Sequence, residues 1–220
     1  MIETAPIILT LQLALFTTVI LFMIAIPIAW WLTQKPSIFK TIMEVIVSMP
    51  LVLPPSVIGF YLLMVFRPEA FLAKYMHIRL AFSFEGLLIG SLLYSLPFMV
   101  HPIQSGLASL PGSLKEASYS LGKSKWETLV KVLLPNIKPS LLTGIILTFA
   151  HAVGEFGIVL MVGGNIPGKT RTAAIAIYDE NDQFHYDLAN RYALVLIGIS
   201  FVVLFSMYFV NRRIQRDNYF

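Results

Sequence analysis

The segment from residue 116 to residue 135, EASYSLGKSKWETLVKVLLP, decides how this chain is organised. It is charged and rich in helix-forming residues, and yet it lies between long apolar runs. Such a segment cannot be placed in lipid, because charged side chains are costly there. We therefore expect it to lie on the water side of a membrane, where its layout is suited to being gripped by another protein.

The composition of the chain is that of a membrane protein. Hydrophobic residues make up 57% of the 220 residues, and charged residues make up only 13%. A soluble domain usually contains about 25% charged residues. The chain contains no cysteine, so disulfides and thiolate metal sites are excluded. The N-terminal residues lack the positive region of a secretory signal, and the apolar run that follows them is too long for one.

Five segments are long and apolar enough to cross a bilayer, which requires about 20 helical residues. Each is expected to be helical, because lipid offers no partners to open backbone groups. We therefore predict an all-α, polytopic helical bundle formed by the whole chain, residues 1–220, as a single membrane domain. The predicted spans are about Ile7–Leu32, Ile42–Phe66, Phe84–Gly106, Ser140–Val162 and Arg191–Val210.

The distribution of lysine and arginine predicts the orientation of these spans. With the N-terminus outside, ten basic residues lie in the cytoplasmic connections and six in the external ones, as the positive-inside rule requires. We therefore predict a multi-pass cell-membrane protein with its C-terminus in the cytoplasm. Membrane anchoring accounts for the basic balance, so we expect no nucleic-acid partner. The ten are Lys35, Lys40, Lys115, Lys123, Lys125, Lys131, Lys138, Arg212, Arg213 and Arg216, and the six are Arg67, Lys74, Arg79, Lys169, Arg171 and Arg191.

The cytoplasmic segment 113–135 has the signals of two short helices. Ser113 with Glu116, and Ser124 with Glu127, have capping-box spacing. Gly122 lies between the two boxes and suits a left-handed C-terminal cap. We therefore expect a bend at Gly122 between two rigid helices.

Apolar residues of both helices recur at helical spacing, and Pro135 is expected to end the second helix. The pattern is typical of a docking surface, but also of an amphipathic loop that packs on the underside of the bundle. The apolar positions are Leu114, Ala117 and Leu121 in the first helix, and Trp126, Leu129, Val130 and Leu133 in the second.

The same segment resembles the cytoplasmic loop of ABC importer permeases, written EAA-x3-G-x9-I-x-L-P. Ser118 and Val132 depart mildly from the pattern. The resemblance implies a type I, MetI-like permease whose loop docks onto a separate ATPase subunit. ATP and magnesium would be bound by that partner, so no cofactor is expected in this chain. The matching residues, which would couple the permease to the ATPase, are Glu116, Ala117, Gly122, Leu134 and Pro135.

Residues 163–170, GGNIPGKT, match the phosphate-loop pattern G-x4-G-K-[ST]. A true phosphate loop connects a strand to a helix, whereas this one follows a predicted span. Pro167 also removes one of the amides that would bind phosphate. We therefore interpret the match as spurious and do not expect the chain to be an ATPase.

Several longer strings resemble the molybdate permease subfamily of ABC importers. They are PLVLPPSVIGFYL at 50–62, YSLPFMV at 94–100, GEFG at 154–157, VLMVGGNIPGKTRT at 159–172 and AIAIYD at 174–179. With the cytoplasmic loop, the resemblance covers about residues 49–196. It implies a homodimer that works with ABC ATPase subunits and an extracytoplasmic molybdate-binding protein. Sulfate permeases share part of the pattern, and tungstate cannot be separated from molybdate.

Ionisable and helix-breaking residues inside the spans suggest a gate in the transport pathway. His151 and Glu155 lie four residues apart on one helix face. They form either a metal or proton site or a structural pair at a kink. Two ligands are too few for a metal, so we predict none. An alternative interpretation of the chain is a transporter that works alone and is driven by an ion gradient. Such a transporter would usually have a more complete ion site within its spans. The predicted gate or pathway residues are Pro54, Pro55, His151, Gly154, Glu155 and Gly157.

Smaller features of the spans allow two interpretations each. Gly86 and Gly90 form a GxxxG pair that would serve packing within the subunit or dimerisation. Ser56, Ser95 and Thr148 would face a passing anion or, more commonly, bond their own backbone.

Overall fold

The computed structural model describes residues 3–67 and 80–217, and the regular structure within these ranges is entirely helical. This confirms the all-α prediction. A 3-10 turn (Met49–Leu51) follows α2, and a π turn (Leu129–Leu133) joins α6 to α7. The helices are α1 (Ala5–Leu32), α2 (Ile38–Ser48), α3 (Pro55–Val65), α4 (Phe84–Ser109), α5 (Gly112–Ser120), α6 (Lys125–Thr128), α7 (Leu134–Asn136), α8 (Lys138–Gly154), α9 (Gly157–Gly163), α10 (Ala173–Asp182) and α11 (Tyr186–Asp217).

Three described helices are individually long and apolar enough to cross a membrane, namely α1, α4 and the part of α11 from Tyr186 to Asn211. Neither of the other two predicted spans is one continuous helix, as the helix-breaking residues within them indicated. The span predicted for residues 42–66 turns by 106° between Ile38–Leu51 and Pro55–Val65, because Pro50, Pro54 and Pro55 remove helix hydrogen bonds. The span predicted for residues 140–162 is interrupted between α8 and α9.

A second sharp bend, of 82°, separates the helical segment Lys125–Asn136 from α8. Pro135 was expected to end this segment, but it lies inside α7, and the chain turns at Ile137 instead. The preceding π turn explains the difference. In its last hydrogen bond, the amide of Leu134 donates to the carbonyl of Leu129, five residues earlier. The series of helical hydrogen bonds is therefore already shifted before Pro135, which has no amide to donate.

The core lies where α1, α4 and α8 pack together. Leu21 and Ala25 of α1 meet Met99 and Ile103 of α4 in a fully buried cluster, which also includes Leu133 of the π turn. Deeper in the bundle, the hydroxyl of Thr17 donates to that of Ser91 over 3.0 Å. The segment after α5 is therefore anchored in the same core as the spans.

The GxxxG pair of α4 is used inside the subunit. A Cβ atom at Gly90 would lie 2.6 Å from the side chain of Ile158 in α9, and one at Gly86 would collide with the backbone of Leu80. Small residues let the two helices approach closely. These contacts favour intrasubunit packing over dimerisation through this pair.

Candidate coupling loop and translocation gate

The bend in the cytoplasmic segment is formed as predicted. Gly122 has a φ of +77°, and its amide donates to the carbonyl of Tyr119 over 2.9 Å. The amide of Lys123 donates to the carbonyl of Ser118 over 3.2 Å. A Cβ atom at Gly122 would meet nothing within 4 Å, so glycine is favoured here by backbone conformation and not by space.

One of the two predicted capping boxes is present. Ser124 accepts from the amide of Glu127, whose carboxylate accepts in turn from the amide of Ser124. The ammonium of Lys131 donates to the same carboxylate over 3.0 Å and, as the largest influence, lowers the pKa of Glu127. The box predicted for Ser113 and Glu116 was wrong.

The first helix begins two residues earlier than its predicted box allows, at Gly112 instead of Leu114. Pro111 occupies the capping position of α5, and no side chain caps this helix. Ser113 therefore lies inside the first turn, where its hydroxyl cannot reach the required amide. Glu116 is exposed, and its carboxylate bonds no other described residue.

The apolar face predicted for the two short helices is only partly buried. Leu129 and Leu133 are buried in the core. Leu121 and Trp126, in contrast, are 78% and 58% exposed. The reason is a hydrogen bond of 2.9 Å between the hydroxyls of Ser118 and Thr128, which packs the small polar sides of α5 and α6 against each other.

The outer side of these two helices is therefore an open surface on which large apolar side chains are exposed among polar ones. We call it the coupling face and define it by Ala117, Tyr119, Leu121, Trp126 and Val130, all of which are exposed. Of the remaining residues that match the importer loop, Leu134 packs partly against the core, and Pro135 is exposed.

At the break between α8 and α9, Glu155 holds the start of α9. One carboxylate oxygen accepts from the amide of Ile158 over 2.9 Å, and the side chain is almost fully buried. The other oxygen lies 3.7 Å from Nε2 of His151, which is too long for a hydrogen bond. The ring of His151 stacks on Phe98 with centroids 4.1 Å apart and also contacts Tyr94. This arrangement favours the interpretation of His151 and Glu155 as a structural pair at the break. No group of three potential metal ligands occurs in the described residues.

Two of the predicted gate residues are in direct contact. A Cβ atom at Gly157 would lie 2.6 Å from the Cβ atom of Pro55, at the start of α3. One turn further along each helix, a Cβ atom at Gly59 would lie 2.7 Å from the Cβ atom of Met161. The short helices α3 and α9 are thus closely packed, with a glycine of each against a side chain of the other.

The other predicted gate residues differ in their surroundings. Pro54 immediately precedes α3 in an extended conformation. Gly154 ends α8, is exposed, and would admit a Cβ atom without any contact within 4 Å. The structure therefore brings Pro55, Glu155 and Gly157 together at one break and leaves Gly154 at its open side.

The hydroxyls expected to bond their own backbone do not all do so. Ser95 and Thr148 are buried, and their hydroxyls have no hydrogen-bond partner within the described part of the chain. Ser56 is exposed. That prediction was wrong for Ser95 and Thr148.

Sequence reasoning missed a polar group between α2 and α4. Nε2 of His101 lies 3.1 Å from the hydroxyl of Ser48, and the amide nitrogen of Gln104 donates to Glu44 over 2.8 Å. The signal was the spacing of His101 and Gln104 on one face of an otherwise apolar span. Next to them, an open cavity of about 520 Å³ lies between the 3-10 turn, α4 and α8. We call it the α4–α8 cavity.

The phosphate-loop lookalike is a closed loop that follows helix α9 and not a strand. The hydroxyl of Thr170 donates to the carbonyl of Gly163 over 2.7 Å and accepts from the amide of Ile166 over 3.2 Å. Arg171 binds Asp179 and Glu180 of α10 over 2.8 and 3.0 Å. The threonine that would bind magnesium in a phosphate loop is thus used to hold this loop together.

Replacing Thr170 with valine is therefore expected to destabilise the protein by about 1–3 kcal/mol, the usual cost of leaving buried polar groups unpaired. Thermal unfolding of the purified protein in detergent, without nucleotide, would measure the effect. Thr170→Ser keeps the hydroxyl and should unfold near the wild-type temperature. Equal melting temperatures for wild type and the valine variant would contradict this role.

Comparison with known proteins places the chain in a family. Residues 22–216 match the family described as "Binding-protein-dependent transport system inner membrane component". The chain belongs to this family. It is a permease component of an ABC importer, embedded in the membrane, and in such importers the ATPase is a separate subunit.

Relatives of this permease include proteins named as molybdenum and as sulfate transport system permeases. It is 42% identical over 214 residues to the molybdenum transport system permease protein ModB of Azotobacter vinelandii, covering 96% of this chain and 95% of the relative. It is 32% identical to the putative molybdenum transport system permease protein YvgM of Bacillus subtilis, covering 91% and 90%. The sulfate transport system permease protein CysT of Escherichia coli is also 32% identical, with 86% and 69% covered.

Solved structures share the fold at low sequence identity. The methionine ABC transporter MetNI in an inward-facing conformation superposes with a TM-score of 0.74 at 18% identity, over 94% of both chains. A bacterial ABC transporter that imports the polysaccharide alginate superposes with a TM-score of 0.78 at 16% identity, over 96% of this chain and 79% of that one. The permease thus has the MetI-like fold of type I ABC importers.

Proposed function

We propose that this permease translocates molybdate across the cell membrane, powered by a separate ATPase and supplied by an external molybdate-binding protein. The observation that carries the proposal is the 42% identity to a molybdenum permease along nearly the whole of both chains. Two of the segments that resemble molybdate permeases lie around the gate. Residues 154–157 are at the α8–α9 break, and residues 159–172 form most of α9 and the closed loop that follows it.

The coupling face is suited to dock on the ATPase. It exposes two large apolar side chains, Leu121 and Trp126, at the tip of a bent helical pair. The base of the pair is fixed, because Leu129 and Leu133 are buried in the same core as α1 and α4. A force applied at the tip would therefore be passed to the spans. Glu116 adds an exposed carboxylate on α5, and Lys123 and Lys125 lie between Leu121 and Trp126 in the chain.

The gate is suited to alternating access in a homodimer. The α8–α9 break is held by Glu155, whose side chain is almost fully buried and accepts an amide hydrogen bond from Ile158. The tight contact between Gly157 and Pro55 couples the two short helices α3 and α9. We propose that they move as a unit at the pathway between two copies of the chain, with His151 and Gly154 at its wall.

The orientation that we propose has the N-terminus outside and the C-terminus in the cytoplasm. The coupling face and the end of α11 then lie on the cytoplasmic side. The loop at residues 164–172 and the connection between α10 and α11 lie on the external side, where the binding protein would deliver its ion. The excess of lysine and arginine in the cytoplasmic connections supports this arrangement. Of the residues counted for it, Lys74 and Arg79 lie outside the described residues.

Uptake by the reconstituted importer tests the substrate directly. We expect proteoliposomes that contain the permease, its ATPase and its binding protein to take up labelled molybdate at least about tenfold faster than labelled sulfate at equal concentration, a difference of about 1.4 kcal/mol. Omitting ATP is the control and should abolish uptake.

Other outcomes would replace parts of the proposal. Preferential uptake of sulfate would assign the chain to the function of its CysT relatives, and equal uptake of tungstate would widen the substrate to both metal oxyanions. Uptake by the permease without any ATPase would contradict the ABC mechanism and support an ion-gradient-driven transporter.

A further inference from the structure

We propose that the α4–α8 cavity is a binding site for a tetrahedral oxyanion, which is held by the ring of His101 and the hydroxyls of Ser105 and Ser140. The inference rests on the proposed import function and adds to it a stopping place for the ion inside this chain. The cavity lies at the end of the bundle next to the coupling loop, since Ser140 is near the start of α8 and Ser105 is near the end of α4.

The lining of this cavity is mostly apolar, but it includes the polar side chains of His101, Ser105, Ser140 and Thr143, which are out of place on a surface that faces lipid. His101 and Ser105 are four residues apart on α4, and Ser140 faces them from α8. Helix residues four apart lie on the same face. Polar and ionisable groups within spans usually face a partner or a water-filled cavity. We infer that this cavity is filled with water and belongs to the transport pathway.

The hydrogen bonds around His101 leave one ring nitrogen available to a ligand. The hydroxyl of Ser48 donates to the carbonyl of Glu44 over 2.7 Å. It can therefore only accept from Nε2 of His101, 3.1 Å away. Nδ1 is left, and an oxyanion that reaches it would stabilise the protonated, cationic imidazole through a charge-assisted hydrogen bond.

The hydroxyls at the cavity differ in what they can give to an anion. Ser105 and Ser140 form no hydrogen bond with any described residue, so their protons are available. Thr143 donates its proton to the carbonyl of Pro139 over 2.9 Å. The site therefore offers two serine hydroxyls and one imidazole as donors.

The charge around the cavity favours an anion. None of the described residues that line it is acidic. The nearby carboxylate of Glu44 accepts from the side-chain amide of Gln104 over 2.8 Å and lines a neighbouring groove instead. Helix α8 begins at Lys138, two residues before Ser140, and the start of a helix carries partial positive charge. The volume of about 520 Å³ leaves space for an ion with part of its water shell, since each water occupies about 30 Å³.

The cavity also continues from the gate. Phe98 lines the end of the cavity that is nearer the gate and stacks on His151, whose ring lies next to Glu155. An ion that passed the opened α8–α9 break would therefore meet this aromatic pair first and enter the cavity next. The position is that of a last binding step before release.

Protection from chemical modification tests this site without measuring transport. The permease–ATPase complex in lipid nanodiscs is treated with diethylpyrocarbonate, and the modification of each histidine is followed by mass spectrometry in molybdate, sulfate or chloride. At ten times its Kd, molybdate should slow the modification of His101 about tenfold. His185, which is exposed next to α11 at the opposite end of the bundle, is the internal control and should react at an unchanged rate.

A pair of variants provides the second measurement. His101→Gln keeps a donor for Ser48 but loses the second ring nitrogen that would contact the ion, and should slow molybdate uptake about tenfold, the usual worth of a hydrogen bond to a charged group. His185→Gln is the matched change at the opposite end of the bundle and should leave the protection of His101 by molybdate unaltered. Unprotected His101 at saturating molybdate, or wild-type uptake by His101→Gln, would overturn the site.

These outcomes are separable from those that test the proposed function. Molybdate uptake by the wild type with no protection of His101 would remove the site and leave the function in place. Protection and uptake with sulfate alone would keep an oxyanion site and replace the proposed substrate.

Discussion

Replacing both Leu121 and Trp126 with alanine is expected to weaken the association of this permease with its ATPase subunit by at least about a hundredfold. Both side chains are largely exposed on the coupling face. If they fill a cleft on the ATPase, each truncation should cost about 2 kcal/mol or more, as at interface hot spots. Co-purification from membranes and a titration of purified ATPase against the permease in nanodiscs would measure the loss.

The same variant should fold normally, because neither side chain belongs to the buried core of the bundle. A matched control is available at the opposite end of the molecule. Phe184→Ala with Tyr186→Ala removes two exposed aromatic rings of comparable size near the start of α11. This control should bind the ATPase with wild-type affinity. If the coupling-face variant also retained wild-type affinity, the proposed docking role would be wrong.

Replacing Gly157 with valine is expected to abolish transport and to lower the melting temperature of the permease. A Cβ atom there would lie 2.6 Å from Pro55 Cβ and 3.3 Å from its Cγ. Valine adds two further methyl groups, so α9 must move away from α3. Overpacking of this kind costs typically about 1–3 kcal/mol. Thermal unfolding in detergent would report the destabilisation, and ATP-driven uptake would report the loss of function.

Gly154→Val is the matched control, because it makes the same change three residues away. A Cβ atom at Gly154 would meet no atom within 4 Å, so this variant should melt near the wild-type temperature. The two variants lose similar backbone freedom, and valine has the same helix propensity in both. If both melted at the same temperature, the close contact between Gly157 and Pro55 would not be what stabilises the gate.

The coupling loop shows which local signals can be interpreted without a structure. The left-handed cap at Gly122 and the box formed by Ser124 and Glu127 depend on residues that are close in the chain, and both were predicted correctly. The exposure of Leu121 and Trp126 was not predicted. It depends on how α5 and α6 pack through Ser118 and Thr128, and helical spacing alone does not say which apolar residues a neighbour covers.

The gate shows the opposite balance. Prolines and an i, i+4 pair of ionisable residues marked the two broken spans, but the contact between Gly157 and Pro55 joins residues that are far apart in the chain. The α4–α8 cavity was missed for the same reason. Its lining comes from three separate elements, and Ser105 and Ser140 are unremarkable when each is read within its own helix.

The amino-acid sequence by itself determined that this chain is an all-helical membrane permease of the ABC importer class with a bent, water-side loop. Hydropathy, capping and the spacing of the loop residues act over one or two helical turns, so they can be recognised locally. Only the tertiary structure decided how sharply the two marked spans break, that Leu121 and Trp126 are exposed at the tip of the loop, and that a cavity with several polar side chains lies between α4 and α8. These features arise where distant helices meet, and the free energy of such contacts depends on packing that no single segment specifies.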